Sequence, residues 1–187
     1  MKKILIIAFN QMGDIEFTSF YDVIQRYGHE VDFYNVSGTK ILTTKFGLEM
    51  TNSKPKASLE INDYDALYIP GGPGVEKVLD NQELKTIILE FNRNNKLIIA
   101  ICAAPKILAA HGLLINKKII AFRSQEIYNF LETKGAIVVN KNCQTDDSSC
   151  HIVKDGNIIT GMNYETTIAL AKYVAKEIKT KDKINEV

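Results

Sequence analysis

The chain has 187 residues, of which 45% are apolar and 24% charged, and its formal net charge is +1. This length and composition are typical of one globular domain that folds without disulfides or a structural metal. The near-zero charge argues against a nucleic-acid partner, and no apolar run reaches the roughly 18–20 residues of a membrane-spanning helix.

Apolar, strand-like runs alternate with helical patterns, an order typical of parallel strands joined by crossover helices. The runs at 4–9 and 97–101 are apolar throughout, as in central strands that are covered on both faces. Further strands are predicted at 30–36, 64–69, 116–122 and 136–139, hairpins at 40–52 and 151–160, and helices at 14–27, 82–95, 103–111, 124–134 and 164–179. The pattern predicts a single α/β domain over 1–179, a three-layer sandwich around a mostly parallel sheet, and a frayed polar tail at 180–187.

Three turns follow predicted strands and reach the C-terminal edge of the sheet, where open α/β proteins bind ligands. They cover residues 10–16, 70–74 and 102–105. Cys102 stands between an apolar strand and a helix start, followed by small residues, which is the setting of a nucleophile elbow. A helix N-terminus favours a thiolate, and two N–H groups there can bind an oxyanion. The alternative is a buried cysteine that serves only as a small apolar side chain.

Two further features lie at the same edge. Glu16 stands early in the first helix between two apolar residues, an unfavourable place for a charge unless the site uses it. Facing Cys102, it would share a proton with the thiol. Facing solvent, it would only complement the helix dipole, while Asp14 is the predicted N-cap. Gly71-Gly72 lets the backbone approach a ligand closely and direct an N–H group into the site.

The histidines and the remaining cysteines point to no second site. His29 follows a helix-ending glycine and is predicted at the surface, and His111 ends the elbow helix and is predicted to be structural. Cys143, Cys150 and His151 resemble metal ligands superficially, but they lack the C-x₂₋₄-C pair of zinc sites. We therefore predict no metal and no cofactor. An odd number of cysteines favours free thiols and a reducing, cytoplasmic compartment.

Four segments in register resemble the ThiJ/PfpI superfamily, whose fold is similar to flavodoxin-like class I glutamine amidotransferase domains. They are Ile15-Glu16, the Tyr-Ile-Pro-Gly-Gly-Pro-Gly run at 68–74, the Ala-Ile-Cys-Ala-Ala-Pro run at 100–105 and the Asp-Gly-Asn-Ile-Ile-Thr run at 155–160. The spacing agrees from about residue 2 to 178. The resemblance implies that Cys102 is the reactive thiolate, that Glu16 is the acid bonded to it, and that Gly72 and Ala103 supply the oxyanion N–H groups.

The chain departs from the superfamily at two places. Ala103 stands where the protease-like branch has a histidine directly after the cysteine. Phe122-Arg123 occupies the stretch from which many members bring a histidine or an aromatic residue to the thiol. We therefore expect Phe122, Arg123 and the Gly71 backbone to contact the substrate, and Glu16 to be the proton-transfer group.

The resemblance implies several functions and leaves them open. The first is a cysteine-dependent enzyme of the glyoxalase or deglycase type that acts on a small reactive carbonyl compound in stress defence. The second is a non-catalytic cysteine redox sensor, since both need the same thiolate and carboxylate. An isocyanide-hydratase-like enzyme and an intracellular protease or amidase remain as hydrolytic alternatives, the latter disfavoured by the missing histidine. The resemblance also implies a homodimer.

Overall fold

The computed structural model describes residues 1–51, 53–141 and 151–184, of which 180–184 as backbone. Its strands are β1 (Lys3–Ala8), β2 (Glu30–Asn35), β3 (Leu42–Thr43), β4 (Glu49–Met50), β5 (Ala66–Ile69), β6 (Leu97–Ile101), β7 (Lys118–Ile119), β8 (Ile137–Val138), β9 (Ile152–Asp155) and β10 (Ile158–Gly161). Its helices are α1 (Asp14–Arg26), α2 (Val75–Val78), α3 (Gln82–Arg93), α4 (Pro105–Ala110), α5 (Gln125–Thr133) and α6 (Thr167–Ile184).

Within these residues the central sheet has six strands in the order β2-β1-β5-β6-β10-β9. Neighbouring strands are parallel except for the hairpin of β9 and β10. Every residue of β5 and β6 is at most 1% exposed, because helices cover both faces of the sheet. The predicted α/β sandwich with a mostly parallel sheet is confirmed.

The strand order reverses at β1, and this reversal positions the site. The chain leaves β1 through α1 to reach β2 on one side, and it later enters β5 on the other side. Right-handed crossovers place α1 and α3 on opposite faces, with α6 packed beside α1. The connections at the C-terminal ends of β1 and β5 therefore diverge and leave a crevice, and the turn after β6 lies next to it.

The predicted hairpins agree with the structure, whereas one predicted strand and one predicted helix end differ from it. The hairpins predicted at 40–52 and 151–160 are confirmed as the antiparallel pairs β3–β4 and β9–β10. The run at 116–122 is a strand only in β7, which pairs with β8 apart from the central sheet. Beyond β7, the N–H of Ile120 donates to the Thr160 side chain, which ends the ladder there. Helix α2 was not predicted, and the backbone of α6 is helical to Ile184, beyond the predicted end at 179.

The burial of His29 differs from the prediction made from sequence. Predicted at the surface, it is 5% exposed, with its Nε2 atom 3.3 Å from the carbonyl oxygen of Ala175 in α6. Burial lowers the pKa of His29 below its ordinary value. The residue is buried because α6, distant in sequence, packs over the end of α1.

Candidate active site

Cys102 forms a sharp elbow between β6 and α4. Its φ of 62° lies in the left-handed region, which residues other than glycine seldom adopt. Two hydrogen bonds hold the backbone there: its N–H donates to Gly161 O at 3.0 Å, and its carbonyl accepts from Phe122 N–H at 2.9 Å. Pro105 then begins α4, where its fixed φ suits the first helical position. The predicted strand-to-helix elbow is present, and Cys102 is partly exposed.

Glu16 approaches the elbow from the first turn of α1 and is only 3% exposed. Its carboxyl group is hydrogen-bonded to the Cys102 thiol, and its Oε2 accepts from Gly71 N–H at 2.6 Å. The Tyr68 hydroxyl donates to the Glu16 backbone carbonyl at 2.8 Å. The Tyr68 ring is in turn stacked on Phe20 of α1, with ring centres 3.6 Å apart. Glu16 is therefore held at both its backbone and its side chain.

The turn after β5 is glycine-rich because it lies directly against the elbow. A Cβ on Gly71 would lie 2.7 Å from Cys102 Cβ and 2.8 Å from Glu16 Oε2. It would also lie 2.9 Å from the Ile101 carbonyl oxygen, all well inside van der Waals contact. Gly72 has a φ of 105°, which only glycine adopts without strain. The turn thus directs the Gly71 N–H to Glu16 and the Gly72 N–H to the sulfur.

Burial acts in the same direction on both acidic groups of the pair. It raises the pKa of the Glu16 carboxyl, and it raises the pKa of the Cys102 thiol, which the adjacent carboxylate raises further. The N–H groups of Ala103 and Gly72, both bonded to the sulfur, lower the pKa of the thiol, but by less. The lowering expected from a helix N-terminus is therefore outweighed. The hydrogen bond from the thiol lowers the pKa of Glu16, whereas the Glu16 carboxylate raises the pKa of the thiol, so the two ionisations are coupled.

The start of α1 also anchors the β3–β4 hairpin. The sequence predicted Asp14 as the N-cap of α1. This prediction is wrong, because Gly13 occupies that position. The Asp14 carboxylate instead accepts from the Thr44 hydroxyl at 2.5 Å and from the Phe46 N–H at 3.1 Å. These two bonds fold the hairpin over the start of α1, so that Lys45 and Phe46 line the same pocket as Cys102.

The Cys102–Glu16 pair opens into a pocket of about 800 Å³. Three partly exposed aromatic side chains line it, namely Phe46, Phe122 and Tyr164. Charged side chains besides Glu16 also line it, namely Asp14, Lys45, Glu76, Lys106 and Glu126. Among these aromatic side chains and the lysines, only Phe122 was expected at the site from sequence. The others reach the pocket through the rotation of helices and the packing of the β3–β4 hairpin.

Arg123 does not line the pocket, so its predicted contact with substrate stays a prediction. Phe122 and Ser124 line the pocket, whereas Arg123 between them does not, which is the alternation of an extended segment. The Arg123 charge acts instead on Tyr128 of α5. Gly71 likewise lies behind Glu16, holding the carboxylate rather than lining the pocket.

The remaining predictions concern the other cysteines, a metal site and a membrane-spanning helix. Cys143 and Cys150 lie outside the described residues, so their predicted free state stays a prediction. Within the described ranges, no three His, Cys, Asp or Glu side chains come together as a possible metal site. In the same part of the chain, no helix is both long enough and apolar enough to span a bilayer.

Comparison with known proteins shows similarity along the whole domain. The sequence profile of the DJ-1/PfpI family matches residues 2–177. Protein dj-1beta of Drosophila melanogaster is 28% identical over 187 residues, covering 100% of this chain and 94% of that protein. Its crystal structure has a TM-score of 0.82 at 26% identity, covering 99% of this chain and 94% of that one. Deglycase PfpI of Pyrococcus furiosus is 31% identical over 117 residues, 62% of this chain and 69% of that protein.

Proposed function

Because this chain belongs to the DJ-1/PfpI family, we propose that it is an enzyme in which Cys102 attacks a small reactive carbonyl compound and Glu16 transfers the protons. The observation that supports this most directly is the hydrogen bond between the buried Glu16 carboxyl and the Cys102 thiol at the base of a pocket. The name of a relative, a deglycase, supports the same class of substrate.

The reactive form of the pair is the one in which Glu16 holds the shared proton. A neutral carboxyl group no longer opposes a thiolate, and it donates a hydrogen bond to the sulfur instead. The N–H groups of Gly72 and Ala103 stabilise the same negative charge. Burial of Glu16 favours this form because burial penalises the carboxylate, whereas burial of Cys102 opposes it by penalising the thiolate.

A 2-oxoaldehyde would react in three stages. The Cys102 thiolate forms a C–S bond to the aldehyde carbon, the carbonyl electron pair moves to oxygen, and this oxygen takes the proton of Glu16. The Glu16 carboxylate then removes the C–H proton of the resulting hemithioacetal and returns it to the neighbouring carbon. The hydroxyl proton of the hemithioacetal moves to the oxygen on that neighbouring carbon, the first carbon becomes a carbonyl again, and a 2-hydroxy thioester results. Water hydrolyses the thioester to a 2-hydroxy acid and the free thiol, so the net change is addition of one water molecule.

Methylglyoxal is a suitable probe of this reaction. We expect the wild type to convert it to a 2-hydroxy acid and Cys102→Ser to lose this activity. Glu16→Gln keeps the size of the side chain but cannot transfer the proton, so its kcat should fall by about 10²–10⁴-fold. Equal rates for the wild type and Cys102→Ser would contradict the proposal.

A redox sensor is the second candidate, favoured by the partial exposure of Cys102. Two equivalents of hydrogen peroxide would oxidise the Cys102 thiolate to a sulfinate and leave two molecules of water. Glu16 would then donate its proton to a sulfinate oxygen. Mass spectrometry after mild peroxide treatment tests this function: a selective gain of two oxygen atoms on Cys102 is expected, and its absence contradicts it.

A homodimer and a cytoplasmic location complete the proposal. Both are implied by the family resemblance or by cysteine usage rather than by contacts within the chain. Light scattering coupled to size exclusion should give a mass of about twice the 21.0 kDa of the chain if the dimer forms.

A further inference from the structure

A buried lysine faces the pocket from the helix that follows the nucleophile. Lys106 lies in the first turn of α4, and its side chain is only 4% exposed. It lines the pocket together with Cys102. A buried ammonium group is uncommon, since removing its charge from water is unfavourable unless the protein compensates for it.

Two contacts compensate for the burial of this charge. The Lys106 Nζ donates to Glu76 Oε1 at 2.5 Å, and it lies 4.7 Å from the centre of the Phe130 ring. An ammonium group carries three N–H donors, and the ring takes the charge through its π face rather than as a full acceptor. Among the described residues, these contacts leave Lys106 able to donate to an oxygen atom in the pocket.

We propose that Lys106 is a catalytic residue that donates from Nζ to the substrate oxygen next to the carbon attacked by Cys102. This inference rests on the proposed function. When Glu16 removes the C–H proton, negative charge develops on that neighbouring oxygen as the enediolate forms. A cation already held in place by Glu76 stabilises this charge without first reorganising water. The substrates would therefore be 1,2-dicarbonyl compounds, and aldehydes without a second oxygen would react poorly.

The first test compares Lys106→Met with Lys106→Arg, using methylglyoxal as substrate. Met has a similar volume and leaves no unpaired buried carboxylate, because Glu76 is 56% exposed. We expect Lys106→Met to lower kcat about tenfold or more with a smaller change in KM, and Lys106→Arg to restore part of the loss. Unchanged kcat in a Lys106→Met protein that melts like the wild type would overturn the catalytic role.

The second test does not depend on turnover. Cys102 is alkylated with iodoacetate, an anion, and with iodoacetamide, its neutral analogue, and the ratio of the two rates is compared between variants. Lys106→Met should lower this ratio several-fold because the cation near the bound reagent is gone. Glu76→Gln is the matched control: it keeps the ammonium but removes its counter-charge, so the ratio should rise.

The two tests separate the failure of each idea. A ratio that is unchanged in Lys106→Met would overturn the contact between this lysine and a bound oxygen anion. A ratio that falls while the wild type fails to convert methylglyoxal would refute the proposed function but support the contact. A ratio that falls while Lys106→Met keeps its full kcat would refute the catalytic role of the lysine.

Discussion

Gly71→Ala tests the geometry of the site without removing any of its functional groups. The new Cβ would lie 2.7–2.9 Å from Cys102 Cβ, Glu16 Oε2 and the Ile101 carbonyl oxygen. The Ile101 oxygen belongs to a central strand and Cys102 to a left-handed elbow, so neither can move far. The Glu16 carboxylate can move, but only by breaking its 2.6 Å hydrogen bond from the Gly71 N–H.

Overpacking of this kind destabilises a fold by about 1–3 kcal/mol. For a chain of this size, a loss of about 2 kcal/mol lowers the melting temperature by about 4–8 °C. Because the displaced group is Glu16, turnover of methylglyoxal should also fall toward the level of the Glu16→Gln variant. Thermal denaturation followed by circular dichroism and a methylglyoxal assay measure the two effects.

Gly28→Ala is the control for backbone strain. Gly28 has a φ of 80°, and a Cβ there would meet nothing within 4 Å. Its substitution should cost about 1–2 kcal/mol from the left-handed backbone alone and leave turnover unchanged. If Gly71→Ala melts within about 1 °C of the wild type and keeps its activity, the close packing of turn, elbow and carboxylate is refuted.

Three further predictions concern the supports of the site. Burial raises the pKa of the Glu16 carboxyl, so the folded protein loses stability as the pH rises through that pKa. Glu16→Gln should therefore melt at a higher temperature than the wild type at about pH 8 but not at about pH 4. An equal difference in melting temperature at both pH values would contradict this. Tyr68→Phe removes the 2.8 Å hydrogen bond to the Glu16 carbonyl and should cost about 1–2 kcal/mol in urea denaturation, against no change if the hydroxyl is dispensable. Asp14→Ala frees the Thr44 hydroxyl and the Phe46 N–H, so limited proteolysis should cut the β3–β4 hairpin sooner than in the wild type, and an unchanged cleavage pattern would show that other contacts hold it.

Local pattern was sufficient for the central strands and for the elbow. The strands at 4–9 and 97–101 could be predicted because a strand buried on both faces must be apolar at every position. Cys102 could be assigned to an elbow because small residues follow it directly after such a strand. Glu16 was conspicuous because a charge between apolar neighbours is unfavourable, and in the structure it is indeed buried.

The remaining parts of the pocket could not be predicted because they depend on packing between distant segments. In the sequence, nothing distinguishes Lys106 from an ordinary charged residue of a short helix. Its side chain is directed inward only because α4 packs with this face toward Glu76 and Phe130. Phe46 lines the pocket because its N–H is bonded to Asp14, a contact between segments far apart in the chain.

The amino-acid sequence by itself determined the alternation of strands and helices and the elbow at Cys102, because each follows from residues that are neighbours in the chain. Only the tertiary structure decided the direction of the pKa shifts of Cys102 and Glu16 and the chemical lining of the pocket. Burial raises the pKa of both the Cys102 thiol and the Glu16 carboxyl, and burial is a property of everything packed around a group rather than of its own segment.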